Sequence, residues 1–386
     1  MSAPTLYIEK CDSYTSDVKE SLLHLIRPFG WPEKAAGKRV AIKVNLLHGA
    51  SPEKAVVTHP VLVKALSELL VEAGAESVVI GDSPGGLYTV SYLNHVYKLS
   101  QLLPCESERV HLNQNVETRE GHYENAYLLH SFSYTAYLDD ADLLIDFCKL
   151  KTHGMMGMSA AVKNMFGTIP GTTKPEYHMR FPNKTDFSKM LLDIYRYWHP
   201  DLCIVDAIDG MEGNGPSQGL PRHIGCLVAG TNAVEVDLVC AGIINLKPED
   251  VPTLEVAEQL GLIQADTLDT LTTGGADWRD FVVRDYQNVA VKSDIAFAGK
   301  GGPIGRAFRS IARIFLKSRP QVRKKQCIGC AKCFQVCPAR AITMKDKKPV
   351  IDRSQCIKCF CCQEFCPVGA MKVHRTPLAK LLSKNK

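Results

Sequence analysis

The chain has 386 residues, 45% hydrophobic and 23% charged, with a formal net charge of +5. That composition is ordinary for a soluble globular protein, and no apolar run reaches spanning length, which excludes a helical membrane span. The net charge hides a segregation: residues 1–305 carry 26 Lys+Arg against 38 Asp+Glu, and residues 306–386 carry 20 against three.

The start, Met1 to Lys10, lacks a basic stretch followed by an apolar one, so no export signal is expected. Val40-Ala-Ile-Lys-Val-Asn45 alternates as a strand that ends at Lys43 and Asn45. Thr58-His59-Pro60 opens a helix with Thr58 as N-cap and Val61, Ala65, Leu66, Leu69 and Leu70 as its buried stripe. The helix stops at Ala73-Gly74, and Ser77–Ile80 forms the next strand, completing a right-handed β-α-β unit. Its loop, Gly81-Asp82-Ser83-Pro84-Gly85-Gly86, lies where open α/β sheets gather ligands. Residues 100–135 suggest a peripheral excursion with short strands. Asp142–Cys148 is a further strand, leading into Lys149-Leu-Lys151-Thr152-His153 and a Gly/Met loop. A helix from Ser159 carries Lys163 and Asn164, and 168–178 is too turn-rich for a regular element. Asp186–Trp198 is helical. Leu202–Val205 is a buried strand ending at Asp206 and Asp209, before the loop Gly210-Met-Glu212-Gly-Asn214-Gly-Pro-Ser217. Ile224–Ala229 is a strand, helices follow near 233–244 and 253–260, and 276–300 suggests a late hairpin. The body is thus a mainly parallel α/β sheet flanked by helices over 1–300.

Residues 301–325 form a basic linker. Ile304, Phe308, Ile311 and Phe315 fall on one helical face and Arg306, Arg309, Arg313 and Lys317 on the other. A connecting helix and a membrane-surface helix both fit this pattern. Within 326–375, Cys327, Cys330, Cys333, Cys337-Pro338 and then Cys356, Cys359, Cys362, Cys366-Pro367 each follow C-x2-C-x2-C-x3-C-P, the bacterial two-cluster ferredoxin run. The fourth cysteine of each run serves the other cluster. Cys327, Cys330, Cys333 and Cys366 are therefore expected on one [4Fe-4S] cluster, and Cys356, Cys359, Cys362 and Cys337 on the second. Zinc knuckles also use C-x2-C pairs, but they leave the third step, the C-x3-C-P ending and the duplication unexplained. Cys361 falls outside the pattern as a spare thiol. The remaining cysteines, Cys11, Cys105, Cys148, Cys203, Cys226 and Cys240, have no disulfide spacing, which points to a reducing cytoplasm with little oxygen. A basic tail, 376–386, ends the chain. The basic half is suited either to lie against the acidic body or to dock an acidic, low-potential donor of the ferredoxin or flavodoxin type. No nucleic-acid recognition motif accompanies it.

Lys149-Leu-Lys-Thr-His153, Val162-Lys-Asn-Met-Phe-Gly-Thr-Ile-Pro-Gly171, Asp206 through Pro216, Lys43-Val-Asn45 and Thr58-His-Pro60 resemble the signatures of domain-of-unknown-function family 362. The resemblance covers roughly 38–262. It implies an α/β fold, a frequent C-terminal two-cluster ferredoxin module and a redox role, with no substrate. A fainter likeness to the lactate racemase superfamily rests on strand–helix layout alone.

In a parallel sheet, the loops bearing Lys43 and Asn45, Asp82 and Ser83, Lys149 to Asn164, and Asp206 to Asn214 converge on one rim. Such a cleft suits a small anionic substrate, with Lys43, Asn45, Asp82, Lys163, Asn164, Asp206 and Asn214 binding it. His153, Lys151, Lys149 and Glu212 are the proton-transfer candidates. An additional cofactor or metal in the body is a further option: His153, His178, Asp206 and Glu212 are possible ligands, although their spacing matches no metal motif. Three functions follow: a reductase fed by two clusters; an electron carrier or maturation partner with a docking body; or a proton-transfer enzyme with structural or sensory clusters. A G-x-G-x-x-G fingerprint is missing from the relevant turns, which argues against direct NAD use.

Overall fold

In the computed structural model, which describes residues 5–15, 17–171, 173–289 and 319–374, the chain divides into two units, Met1–Asn288 and Val289–Lys386. The linker helix expected over 304–317 and the tail 376–386 lie outside the described residues.

Strands of the first unit are β1 (Leu6–Lys10), β2 (Arg39–Val44), β3 (Ser77–Gly81), β4 (Val110–Leu112), β5 (Thr118–His122), β6 (Ser131–Thr135), β7 (Leu143–His153), β8 (Gly157–Ser159), β9 (Leu202–Glu212), β10 (Leu220–Gly230) and β11 (Thr273–Gly275). The main sheet runs β11-β1-β10-β9-β7-β2-β3-β4, with β8 on β7, while β5 and β6 form a separate hairpin. β7, β2, β3 and β4 are joined in parallel, as are β7 and β9. β10 is antiparallel to both of its neighbours. The sheet is therefore mostly parallel but mixed.

Period-2 alternation sorts the strand residues between two cores. Val40, Ile42, Val44, Ile145 and Phe147 pack with helices α1 (Val18–Ile26), α2 (Pro60–Glu72) and α3 (Val90–Leu99). Ala41, Leu144, Cys148 and Leu150 face the other core, which holds α4 (Ala161–Asn164), α5 (Lys174–Arg180), α6 (Lys184–Trp198), α7 (Ala233–Ile243), α8 (Pro252–Gln259) and Leu268 of α9 (Thr267–Thr270). Helices on both faces are what a largely parallel sheet requires.

Several local expectations change. Thr58 does not cap α2. Its hydroxyl bridges two strand ends, accepting from Asn45 N at 2.9 Å and donating to Phe147 O at 2.8 Å. The cap passes to His59, whose ring accepts from Val61 N. Val61 is 39% exposed, and the buried stripe runs through Leu62 and Val63 instead. The helix expected from Ser159 is only four residues long. The turn-rich stretch before His178 contains α5, where Pro175 sits in the first turn and its missing N–H leaves no bond unmade. β7, β9 and β10 each extend to 11 residues, because polar residues beyond their apolar runs still find ladder partners. Residues 276–289 carry a short 3-10 turn, Trp278–Phe281. The rest of the expected hairpin lies outside the described residues.

The second unit pairs β12 (Arg319–Val322) with β15 (Met371–His374) and β13 (Ile342–Lys345) with β14 (Lys348–Ile351). Each cysteine run leads into one helical turn, Lys332–Gln335 or Cys361–Glu364, entered through a left-handed residue, Ala331 at φ 59° or Phe360 at φ 62°. The duplication seen in the sequence is a duplication of backbone.

Candidate functional site

Strand ends β2, β3 and β7 bring a buried polar network together with α4. The Lys43 ammonium lies 2.8 Å from Asp82 Oδ1 and donates to Asn164 Oδ1 at 3.1 Å. Asn164 is fully used: its Oδ1 also accepts from Asn45 Nδ2 at 2.9 Å, and its Nδ2 donates to Asp146 Oδ1 at 2.6 Å and to Lys43 O at 3.3 Å. Asn45 Oδ1 in turn accepts from Lys151 Nζ, which also donates to Val56 O at 2.8 Å. A continuous chain of hydrogen bonds therefore links Lys151 to Asp146. Asp82 is fixed from the other side by the backbone N–H groups of Leu46 and Ser83.

Burial sets the electrostatics. It lowers Lys151 to about 7, helped by the charge of Lys163 on α4. Burial also pushes Asp146 up to about 7, and Asp237, which caps α4 through the Ala161 and Val162 N–H groups, up to about 8.

The glycines of the motifs are explained by contact. A Cβ on Gly167 would stand 2.1 Å from both Asp82 Oδ1 and Lys43 Nζ, one on Gly171 2.0 Å from Pro84 O, and one on Gly215 2.1 Å from Thr152 O. Only glycine lets these loops close over the strand ends.

Lys149 belongs to a second group. Its ammonium lies 2.9 Å from Asp206 Oδ2 and donates to Tyr14 OH at 2.7 Å. Tyr14 OH donates to Asp206 Oδ1 at 2.9 Å, and its ring stacks on His59 at 3.6 Å. Asp206 Oδ2 also accepts from His59 N. Sequence reasoning missed Tyr14, which is far from Lys149 along the chain and carries no local signal. It also missed Asp146, whose signal was present as a carboxylate inside the apolar run Leu143–Phe147.

His153 is buried at the start of the β7–β8 turn, and its Nδ1 accepts from Met155 N and Met156 N at 3.1 and 3.2 Å. These bonds place the proton of the neutral ring on Nε2. Glu212 is held elsewhere, its Oε2 accepting from Gln287 N at 3.1 Å. Asn214 sits in the loop beside Thr152, whose Oγ1 donates to Met211 O and Gly213 O. Among the described residues, no three His, Cys, Asp or Glu side chains gather around one metal-ion position. His153, His178, Asp206 and Glu212 therefore do not form such a site in this structure.

The second unit has two small cavities of about 20 Å³ each. Cys327, Cys330, Cys333 and Cys366 line the first, and Cys337, Cys356, Cys359 and Cys362 line the second. The residues fit iron–sulfur groups on two observations. Each set of four cysteines crosses between the runs, as the two-cluster ferredoxin pattern requires. Backbone donors also point at sulfur at equivalent positions, Ala370 N to Cys366 at 3.1 Å and Ala341 N to Cys337 at 3.3 Å. Cys361 is buried, and its hydrogen bond lowers the pKa of Cys359.

A mostly parallel α/β body joined to an iron–sulfur module is the class this architecture defines. Residues 40–242 match the family described as "Domain of unknown function (DUF362)", and the chain belongs to that family. Residues 319–367 match the 4Fe-4S dicluster domain. A curated relative, the "Thylakoid-associated protein sll1697" of Synechocystis sp., is 34% identical over 283 residues, covering 72% of this chain and 85% of that one. Two solved structures show weaker likeness. A Thermotoga maritima protein aligns with a TM-score of 0.37 and 14% identity over 66% of this chain and 61% of that one. The lactate racemase apoprotein of Thermoanaerobacterium thermosaccharolyticum aligns with a TM-score of 0.38 and 13% identity over 61% and 57%. No described helix is long and apolar enough to cross a membrane.

Proposed function

We propose that the protein is an iron–sulfur reductase acting on a small anionic substrate at the carboxyl ends of β2, β3 and β7. Cys327, Cys330, Cys333 and Cys366 would hold one [4Fe-4S] cluster, and Cys337, Cys356, Cys359 and Cys362 the other. When bound, the clusters supply one-electron transfer. The body residues then bind the substrate and move protons.

The observation that carries this reading is Lys151. Among the described residues, its buried ammonium donates hydrogen bonds to the neutral oxygens of Asn45 and Val56 and to no carboxylate, and its pKa is lowered to about 7. An anion beside it would supply the missing charge partner and raise its proton affinity, while a basic product atom would take the proton. Lys43 and Lys149 have a different part, because each is already neutralised by an aspartate. We assign Lys43, with Asn45 and Asn164, to positioning Lys151, and Lys149 to holding the separate Asp206–Tyr14 group together. His153, Glu212 and Asn214 stay candidates for substrate contact on the neighbouring loops.

Protein purified without oxygen and reduced with dithionite should be reoxidised by one member of a panel of small carboxylates and oxoanions. Lys151→Met should still accept electrons but lose that reoxidation by about 10²–10⁴-fold. In the wild type the rate should fall as pH rises through about 7, where the ammonium of the free protein loses its proton. Reoxidation by no anion would move the assignment to an electron carrier. Lys151→Met behaving as wild type would remove Lys151 as the proton donor.

A further inference from the structure

The two cysteine runs are copies, so equivalent positions should look alike unless the two ends of the module have different tasks. They do not look alike. Ile328 and Phe334 of the first run, and Val368 lining the first run's cavity, are 65, 48 and 42% exposed. In the second run, the counterparts of Ala331, Lys332 and Phe334 are Phe360, Cys361 and Gln363, exposed by only 7, 1 and 0%. Cys330 is itself exposed, whereas its counterpart Cys359 is half-buried.

Exposed lysines follow the same division, while Arg340, Arg353 and half-buried Lys358 keep the second end basic too. Lys324, Lys325, Lys332 and Lys347 are all exposed. The first pair leads directly into Cys327, and Lys332 lies within the run. Lys347 lies against it, its carbonyl 2.8 Å from where a Cβ on Gly329 would stand. Residues 319–374 hold 12 Lys+Arg against Asp346, Asp352 and Glu364, an excess that two oxidised clusters, contributing about −4, would not cancel.

We propose that the end of the module around Cys327–Cys333 is the docking face for a small acidic redox protein, which delivers electrons first to the cluster held by Cys327, Cys330, Cys333 and Cys366. This rests on the cluster assignment above and adds which of the two ends receives the electron. Exposed apolar side chains supply the contact centre, and the lysines form a rim that steers an acidic partner. One electron leaves the reduced donor and enters the first cluster. No bond is made or broken.

The test uses the full chain with its iron and a small acidic [2Fe-2S] ferredoxin as probe. A carbodiimide that joins lysine to carboxylate should cross-link the probe at Lys324, Lys325, Lys332 or Lys347. The triple variant Lys324→Glu, Lys325→Glu, Lys332→Glu should be reduced by the probe at least about tenfold more slowly at low salt, with the salt dependence lost. Its iron content and its reduction by dithionite should match wild type. Arg340→Glu with Arg353→Glu, placed beside the second cavity, should change the rate less than about twofold. Cross-links confined to Lys358 at that second cavity, or an equal effect from both variants, would overturn the proposal. A wild-type chain without iron would instead overturn the cluster assignment on which it rests. If the triple variant failed to fold, the wild-type cross-link map would decide the matter alone.

Discussion

A Cys333→Ala chain is expected to carry about four irons instead of about eight, to lose turnover, and to keep its affinity for a ligand in the body. The reason is the crossed arrangement of the cavities, in which Cys333 shares its cavity with Cys366 of the other run. Cys366→Ala, although it alters the second run, should therefore leave the same residual EPR spectrum as Cys333→Ala. Cys337→Ala alters the first run but should leave the other spectrum, because Cys337 lines the cavity of Cys356, Cys359 and Cys362. Matching spectra from Cys366→Ala and Cys337→Ala would refute the crossed assignment. Turnover that survives the loss of either cluster would leave the body as a non-redox enzyme.

The second large effect is expected in the body. Asp206→Ala should destabilise the protein by about 3–5 kcal/mol, a fall in Tm on the order of 10 °C. Lys149 is 1% exposed, and Asp206 is its charge partner at 2.9 Å. The same carboxylate accepts from Tyr14 OH and His59 N. Its removal leaves a buried ammonium whose remaining hydrogen-bond partner among the described residues is the neutral Tyr14 hydroxyl, and a buried charge without a charged partner is far more costly than a missing pair. Removing both charges, as in Lys149→Met with Asp206→Leu, should recover most of the loss. Thermal unfolding followed by circular dichroism measures both variants. A single variant within about 1 kcal/mol of wild type would show that the pair contributes little.

The two halves of the chain differ in how much their sequences disclose, and the cause is physical. A cluster ligand set is local: the spacing within each run fixes three thiolates, and the duplication supplies the fourth. Both cavities could thus be written down from the sequence. In the body, the parallel β-α-β core was legible because its strands are continuous apolar runs. Their polar ends, with the helix after β8, also marked the residues that do meet: Lys43, Asn45, Asp82 and Lys151 from the strands and Asn164 from the helix.

What was not legible is how those residues neutralise one another. An exposed rim of four lysines and a buried network of ion pairs have the same sequence. Only the closure of Gly167 over Lys43 and Asp82 distinguishes them. Tyr14 and Asp146 stayed hidden for different reasons, the first because it arrives from 135 residues away, the second because a lone carboxylate in a strand resembles an edge residue until burial is known. Thr58 looked like a helix cap because the same hydroxyl chemistry serves a cap and a strand bridge.

Two iron–sulfur clusters in the cysteine module should be visible in elemental analysis of protein purified without oxygen, with acid-labile sulfide measured on the same sample. About eight irons and about eight sulfides per chain are expected. About two zincs per chain, with neither iron nor sulfide, would contradict the cluster assignment and would make the two four-cysteine cavities zinc knuckles.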